Sequence, residues 1–492
     1  MKRPNKLVLP PTVKLITDRF KKMPGVNIYL VGGAVRDWLL KKNTNDFDLV
    51  ISGLPPKKLE SELKKIGKVI YVGKTFGVYK LIANGQSEAI DIALPRLDHS
   101  LNTGRYRDVR IKTDYKLNID QDLKRRDFTI NALAINLKTK EIIDLNNGQK
   151  HLQAGILSTV ESPLARFQED YSRILRALRF SIQLGFKIEN KTWLAIKKLS
   201  KKAVTEKMGS EFKLPREAIA KEFLKSLFIN PVGTIQLWDK AGILETLFPE
   251  ITVLKKTPQA KIFHSEGNVY KHTLLALSAA QSKEWKKFFG KTGPSISVIL
   301  ALLFHDIGKA KTMKWVFKHR QKIISTPDHD NQGALMAKKI MSELKLTSFG
   351  DKPYKIDADL VEWLVAKHML LVHGQISNFK PSTIYKYFLA QPDWGLALQQ
   401  VIFCDSWATR PSDGRVLFDR LIELRKKIKS LVPLLNKKGE LTLLLNGSEL
   451  IKIFNLLPGP KVGELLKTLS DGQLSGKVKT KQQAVLYLKK QL

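Results

Sequence analysis

Residues 30–50, LVGGAVRDWLLKKNTNDFDLV, constrain this chain more than any other stretch. Asn27–Val31 is a short apolar run that reads as a strand, and Gly32-Gly33 ends it. Ala34–Leu40 has helical spacing, and Phe47–Ile51 reads as a second strand. Side chains two apart on a strand share a face, so Asp46 and Asp48 point the same way. Two adjacent carboxylates repel each other unless cations sit between them. Oxygen-only ligation suits Mg²⁺, which takes one or two carboxylates and leaves its other positions to phosphates and water. The Gly-Gly turn lets backbone N–H groups approach a phosphate, and Arg36 can clamp it. Alone, a D-x-D or a G-G is usually a solvated turn. Joined in one strand–turn–helix–strand unit, they are the parts of a two-metal phosphoryl-transfer site.

The charge balance says what such a site would act on. Lys and Arg number 84 against 46 Asp and Glu, a net +38 spread along the whole chain. That excess suits a polyanion held by phosphate contacts, and nucleic acid before membrane. No basic stretch carries a convincing lipid-facing apolar side, and the longest apolar run, Ile296–Phe304, is too short to span a bilayer. The start, MKRPNKLVLPPTVK, lacks the apolar core of a signal peptide. The single cysteine, Cys404, excludes an internal disulfide and fits a reducing, cytoplasmic compartment. At 492 residues the chain has room for three or four domains.

After the opening unit, Lys57–Ile66 reads as an amphipathic helix entered through Pro55-Pro56, and Val69–Val72, Val78–Ala83 and Ala89–Leu94 read as strands. Asp91 lies inside the last of these. A carboxylate there is costly unless paired or metal-bound, so Asp91 is either a third metal carboxylate or half of a structural ion pair. Residues 96–115 are polar and read as a mobile loop. Leu123–Ala134, LKRRDFTINALA, then sets Arg125, Arg126 and Asp127 before an apolar run. A guanidinium forks onto phosphate oxygens, and a neighbouring carboxylate can accept from a ribose hydroxyl.

GG-x-V-R-D followed by D-x-D resembles the first motif of the nucleotidyltransferase superfamily that includes tRNA CCA-adding enzymes and bacterial poly(A) polymerases. R-R-D resembles its second motif, which implies that Arg126 holds triphosphate and Asp127 the sugar. Glu141–Leu152 resembles the hinge between head and neck, with Asp144 and Gly148 in the matching places.

Phe167–Phe180, FQEDYSRILRALRF, reads as one helix with its apolar stripe on Phe167, Tyr171, Ile174, Leu175 and Leu178. Asp170, Arg173 and Arg176 share a neighbouring face, which Arg179 extends. E-D-x-x-R matches the nucleotide-selecting motif of class II CCA-adding enzymes and their poly(A) polymerase relatives. The chemistry of that role is simple. Cytosine and adenine each present an amino donor beside a ring-nitrogen acceptor. An accepting Asp170 and a donating Arg173, steadied by Glu169, pair with either base, whereas guanine and uracil leave charged groups unpaired. Lys213–Leu224 resembles the family's E-R-[IV]-x-x-E neck motif but has Ala218 in the arginine's place, with Arg216 nearby.

Histidine is scarce, nine in all, yet His264, His272, His305, His319, His329, His368 and His373 fall in one span. His305-Asp306 opens a Gly-Lys turn, with Asp405 far downstream, and such a cluster suits metal ligation, by a divalent transition metal as well as others. The order H…HD…D resembles HD-domain phosphohydrolases, with His272, His305, Asp306 and Asp405 matching their motif and His329 and His368 completing a second metal position.

These resemblances imply an α+β chain: a small mixed-sheet nucleotidyltransferase head over 1–150, then an all-α neck over 151–255, an HD domain over 256–414 and a tail over 415–492 that contacts tRNA. They imply template-independent addition of CCA to tRNA from CTP and ATP, with Mg²⁺ at the head and phosphatase or cyclic phosphodiesterase activity at the HD domain. The segment Gly73–Leu81, GKTFGVYKL, resembles the CCA-adding branch rather than poly(A) polymerases. Poly(A) synthesis, CC-only or A-only addition, RNA-end hydrolysis and plain RNA binding stay open as alternatives.

Overall fold

The apolar runs of the first 150 residues pair into a mixed sheet. A computed structural model of the protein describes residues 7–72, 78–105, 108–318, 321–372, 376–411, 418–436, 439–490 and 492. Residues 73–77 of the GKTFGVYKL stretch lie outside that set, as do His319 and His373. The chain separates into two units, Met1–Leu247 and Phe248–Leu492.

In the first unit the strands are β1 (Asn27–Val31), β2 (Asp48–Ser52), β3 (Gly67–Val72), β4 (Val78–Ala83), β5 (Ala89–Ala93), β6 (Arg96–Ser100), β7 (Val109–Thr113), β8 (Leu133–Asn136) and β9 (Ile142–Asp144). Seven of them make one sheet in the order β3-β4-β5-β2-β1-β8-β9. Only β2 and β5 run parallel there, and their register sets Asp48 opposite Asp91. The helix Gly33–Leu39 leaves the end of β1 through Gly32, whose φ of 70° favours glycine. On one face Tyr29, Val31, Val50 and Ala134 pack with Ile119 and Leu123 of the helix Ile119–Lys124.

Two expectations are corrected. Residues 96–115 are not a free loop: β6 and β7 pair antiparallel as a hairpin of their own, with residues 106–107 outside the described set. Ion pairs replace the missing apolar alternation, Arg96 with Asp98 and Arg125 with Asp98. The hairpin is seated on the neck, where the carbonyl of Gly104 accepts from the N–H of Tyr171 at 3.0 Å. The helix expected over Phe167–Phe180 is two helices, Pro163–Glu169 and Ser172–Leu184, because Asp170 is extended (φ −153°, ψ 105°).

The neck continues through Asn190–Thr205, Arg216–Ile229 and Pro231–Lys240. Glu222 of the second takes the buried Arg179 guanidinium at 2.5 Å. Arg216 does not reach into that pair; it stacks on Phe212 and donates to the Val204 carbonyl.

The second unit is helical except for the hairpin Lys314–Lys318/Gln321–Ser325, among the described residues. The apolar run Ile296–Phe304 is a wholly buried helix, around which stand Val269–Ser278, Ala358–Lys367 and Pro392–Ala408. Past Asp419–Leu431, the helices Gly447–Phe454, Pro460–Leu474 and Lys481–Lys489 share a small core of Leu450, Leu465, Leu469 and Leu488. No helix among the described residues is long and apolar enough to cross a membrane.

Candidate functional site

One cavity of about 860 Å³ in the first unit collects the residues of three sequence motifs. Gly32, Gly33, Arg36, Asp46 and Asp48 line it from the first, Arg126 and Asp127 from the second, and Asp170, Arg173, Arg176 and Arg179 from the neck. Asp91 is not among its lining residues; its carboxylate pairs with Lys80 of β4 at 2.9 Å while facing Asp48 across the strands.

The carboxylates at the mouth of β2 carry a frustrated charge. Burial first, then the neighbouring Asp46, push the Asp48 carboxyl up to about 6, with Asp91 adding to the rise and Arg126 and Lys80 opposing it. An acid held there in the metal-free protein is a ready cation ligand, because a bound divalent ion removes the repulsion that raises it. The donor set, oxygen only and open to the cavity, fits Mg²⁺.

Glycine at position 32 has a second use. A Cβ there would stand 2.8 Å from Nη1 of Arg126 and push the guanidinium aside, so glycine lets it rest over the turn. Arg126 is held from behind by Asp122, which is fully buried and also takes Arg125. Arg36 is buried and pinned on both sides, by Asp37 at 2.8 Å and by the Asn131 side-chain carbonyl at 2.8 Å. Asn131 donates in turn to Asp127, and Asp127 receives Arg176 from the neck helix at 2.8 Å. A chain of polar contacts therefore runs from the first motif through the second to the neck. Burial works to raise the Asp127 carboxyl, but Arg176, Asn131 and the Phe128 N–H outweigh it and hold the acid below the ordinary range. Phe180 lies beneath Arg36, Arg176 and Arg179, its ring centroid 5.4, 5.3 and 4.1 Å from their guanidinium carbons.

The break at Asp170 fixes the neck pair. The Asp170 carboxylate accepts from the Ser172 N–H at 2.8 Å, at the start of the second helix. Burial raises its carboxyl, against Ser172 and Arg173, which pull it down. Arg173 donates from Nη1 to Glu169 at 2.6 Å and to the Arg166 carbonyl at 3.1 Å.

The second unit holds a second constellation. His272 sits within the helix Val269–Ser278, and His305 and His368 stand just past the C-termini of Ile296–Phe304 and Ala358–Lys367. His329 opens the helix His329–Glu343, and Asp405 lies near the end of Pro392–Ala408. A histidine that follows a helix can turn its ring back to a carbonyl left unpaired in the last turn. His305 does so to Leu302 at 2.7 Å and His368 to Val365 at 2.7 Å, each through Nδ1. His329 Nδ1 meets the Thr326 carbonyl at 2.8 Å, and His272 Nδ1 meets Glu266 at 2.8 Å. In His305, His329 and His368 a carbonyl on Nδ1 assigns the proton to that nitrogen and leaves the Nε2 lone pair to face inward. In His272, by contrast, burial is outweighed by Asp405 and Glu266, which raise its pKa to about 9. The Nε2 atoms of His305, His329 and His368 are buried without a hydrogen-bond partner. Around them the carboxylate of Asp306 stands at 3.4 Å from His305, 3.4 Å from His329 and 3.7 Å from His368. Asp405 lies 3.0 Å from His272 Nε2. Lone pairs facing carboxylates in a dry site need a cation, and the set divides naturally into His272, His305 and Asp405 beside Asp306, His329 and His368. The residues present fit metal. Gly308 makes this closure possible, since a Cβ there would lie 2.0 Å from the His329 carbonyl oxygen.

Sequence reasoning missed Glu266, which holds both His264 and His272, and Lys309, paired with Asp306 at 2.7 Å. Neither gave a signal: the glutamate sits in a polar stretch without period, and a lysine after glycine reads as a turn residue. Asn131, the link between Arg36 and Asp127, was likewise unmarked within an apolar run.

Residues 28–158 match the family described as the Poly A polymerase head domain. The chain is 32% identical to the Multifunctional CCA protein of Alcanivorax borkumensis over 74% of its own length and 79% of the relative's. It is 33% identical to that of Neisseria gonorrhoeae, over 72% and 76%. Among solved structures, the Bacillus stearothermophilus CCA-adding enzyme in complex with CTP aligns over 98% of each chain with a TM-score of 0.63 and 21% identity. The Thermotoga maritima CCA-adding enzyme complexed with tRNA aligns over 98% and 96%, with a TM-score of 0.59 and 20% identity. At that identity the likeness speaks for the fold, a mixed-sheet head followed by helical domains.

Proposed function

The chain belongs to the family of multifunctional CCA proteins, and from that premise we propose that it adds CCA to the 3′ end of tRNA from CTP and ATP without a nucleic-acid template. The observation that carries this reading is the single cavity lined by Asp46 and Asp48, by Arg126 over Gly32, and by Asp170 and Arg173. One nucleoside triphosphate reaching across it would have its phosphates at the first group and its base at the last.

Asp46 and Asp48 would hold Mg²⁺, which when bound would supply charge to acidify the tRNA 3′-hydroxyl and to offset that of the departing pyrophosphate. Asp91, paired with Lys80, adds to the negative field behind Asp48. Arg126 and the Gly32-Gly33 turn meet the triphosphate, while Arg36, locked by Asp37 and Asn131, keeps the turn in place. Asp127, kept ionised by Arg176, accepts from a ribose hydroxyl. Asp170 accepts from the amino group of cytosine or adenine and Arg173 donates to the adjacent ring nitrogen, both held rigid by the break between the helices. Arg179, tied to Glu222, backs them.

Incubation with a tRNA that lacks its 3′ end, and with labelled CTP or ATP, tests the reading. Products longer by one to three nucleotides support it; long A tails would mean a poly(A) polymerase instead. The hinge motif, the helical tail and the net charge of +38 suit the same partner, with the tail on the tRNA body.

The orphaned Nε2 atoms favour a second activity, metal-dependent hydrolysis of phosphate esters. His272, His305 and Asp405 would hold one divalent transition metal, and Asp306, His329 and His368 another. A bound metal supplies an acidified water there. Release of phosphate from a 2′,3′-cyclic nucleotide or a phosphorylated RNA end, lost in His305→Ala, tests it.

A further inference from the structure

The hairpin between Lys309 and His329 carries two aromatic rings into water. Its strands pair Trp315 with Ile324 and Phe317 with Lys322. Cross-strand partners and residues two apart share a face of a ribbon, so these four side chains lie together. Phe317 is 77% exposed and Trp315 is 55% exposed. The Lys322 ammonium stands over the indole, 5.3 Å from its centroid. Lys314 is a second exposed cation, on the other face of the ribbon, and neither strand contributes a carboxylate.

The same face continues into the metal centre. Ile324, directly opposite Trp315, walls a cavity of about 460 Å³ that also holds Asp306, Lys309, His329 and His368. Thr326, two residues on, lines that cavity too, and its carbonyl fixes His329. One surface thus leads from two open rings to the metal ligands.

We propose that this ribbon is a stacking platform for single-stranded RNA, which holds unpaired nucleotides beside the phosphohydrolase cleft. Rings interleaved with lysines take a base on the ring and its phosphate on the ammonium, whatever the base. A duplex hides its base faces and gains only the charge contacts. A protein ligand would need an apolar or acidic complement, whereas the ring face carries Lys322 beside its two rings and no carboxylate. The direction of delivery rests on the phosphohydrolase reading above; the platform does not.

The test irradiates the full-length protein with a short labelled oligouridylate and maps the adducts by mass spectrometry, alongside affinity by fluorescence anisotropy. Adducts on Trp315 or Phe317 are expected. Trp315→Ala/Phe317→Ala should lose them and bind the oligonucleotide roughly tenfold or more weakly. Trp315→Phe should restore most of the affinity. Nucleotide addition to tRNA and hydrolysis of a small chromogenic phosphodiester should stay unchanged in all variants, which also shows that both units are folded. Adducts confined to other segments, an unchanged affinity, or equal competition by duplex RNA would overturn the platform. Adducts at Trp315 in a protein that hydrolyses no phosphodiester would leave the platform standing and sink the phosphohydrolase reading alone.

Discussion

Replacing Asp48 by asparagine should make the metal-free protein more stable at neutral pH while abolishing nucleotide addition. Burial and then Asp46 hold the carboxyl at about 6 instead of 3.8, so the folded chain resists its ionisation. Because the folded-state pKa lies above the unfolded one, stability is greatest where Asp48 is protonated in both states, below 3.8. It falls as pH rises towards 6 and stays low above that. A rise of this size corresponds to about 3 kcal/mol, and water in the open cleft reduces the figure to about 1–3 kcal/mol. Asparagine carries no such charge. In a unit of this size the gain amounts to a melting temperature higher by about 3–10 °C. The assay is thermal unfolding of the wild type and Asp48→Asn in EDTA from pH 4 to pH 8, repeated with excess Mg²⁺. The gap between them should open across that range, and Mg²⁺ should close it by stabilising the wild type alone. An Asp48→Asn protein equal to or less stable than wild type at pH 8 in EDTA would refute the reasoning. So would equal stabilisation of both by Mg²⁺.

Glu222→Ala leaves the buried Arg179 guanidinium without its carboxylate, and should cost about 3–5 kcal/mol in the urea unfolding of the first unit. Asp170→Ala should lower the preference for CTP and ATP over UTP and GTP roughly ten- to a hundredfold, read as incorporation ratios on one tRNA, without loss of tRNA binding. Glu266→Ala frees His272 to turn and should weaken metal uptake by the second unit about 10–100-fold in a calorimetric titration, with CCA addition intact.

Asn27–Val31 was legible to the residue, because a continuous apolar run closed by Gly-Gly admits few other readings. The same unit exposed Asp46 and Asp48, which both line the cavity, although Asp46 lies before β2 and strand alternation is not what brings it there. The break at Asp170 was invisible for a physical reason. Tyr171 and Ile174 remain buried on the core side, so the apolar stripe continues through one extended residue as if the helix did. The β6–β7 hairpin escaped because Arg96, Asp98 and Arg125 pair as ions in place of apolar neighbours, and such a segment reads as solvent. In the second unit the histidines were countable, but what suits them to a metal is the Nδ1 contact of each, and three of those go to backbone carbonyls. No side-chain pattern encodes a partner that every residue possesses.

That break bears on how a protein can stand in for a complementary base. A base pair tolerates errors of only a few tenths of an ångström before its hydrogen bonds weaken, so both reading groups must be fixed before the nucleotide arrives. On an uninterrupted helix, Asp170 and Arg173 would be neighbours on one surface, each with full rotamer freedom. With the helix broken, Asp170 is tied forward to the first N–H of Ser172–Leu184, and Arg173 is tied backward to Glu169 and the Arg166 carbonyl of Pro163–Glu169. Each helix end thus holds the group on the other to which the proposed function assigns the reading of the base. The rotamer entropy is lost on folding rather than on binding, which on the proposed reading would leave the full hydrogen-bond energy to separate cytosine and adenine from the bases that mismatch.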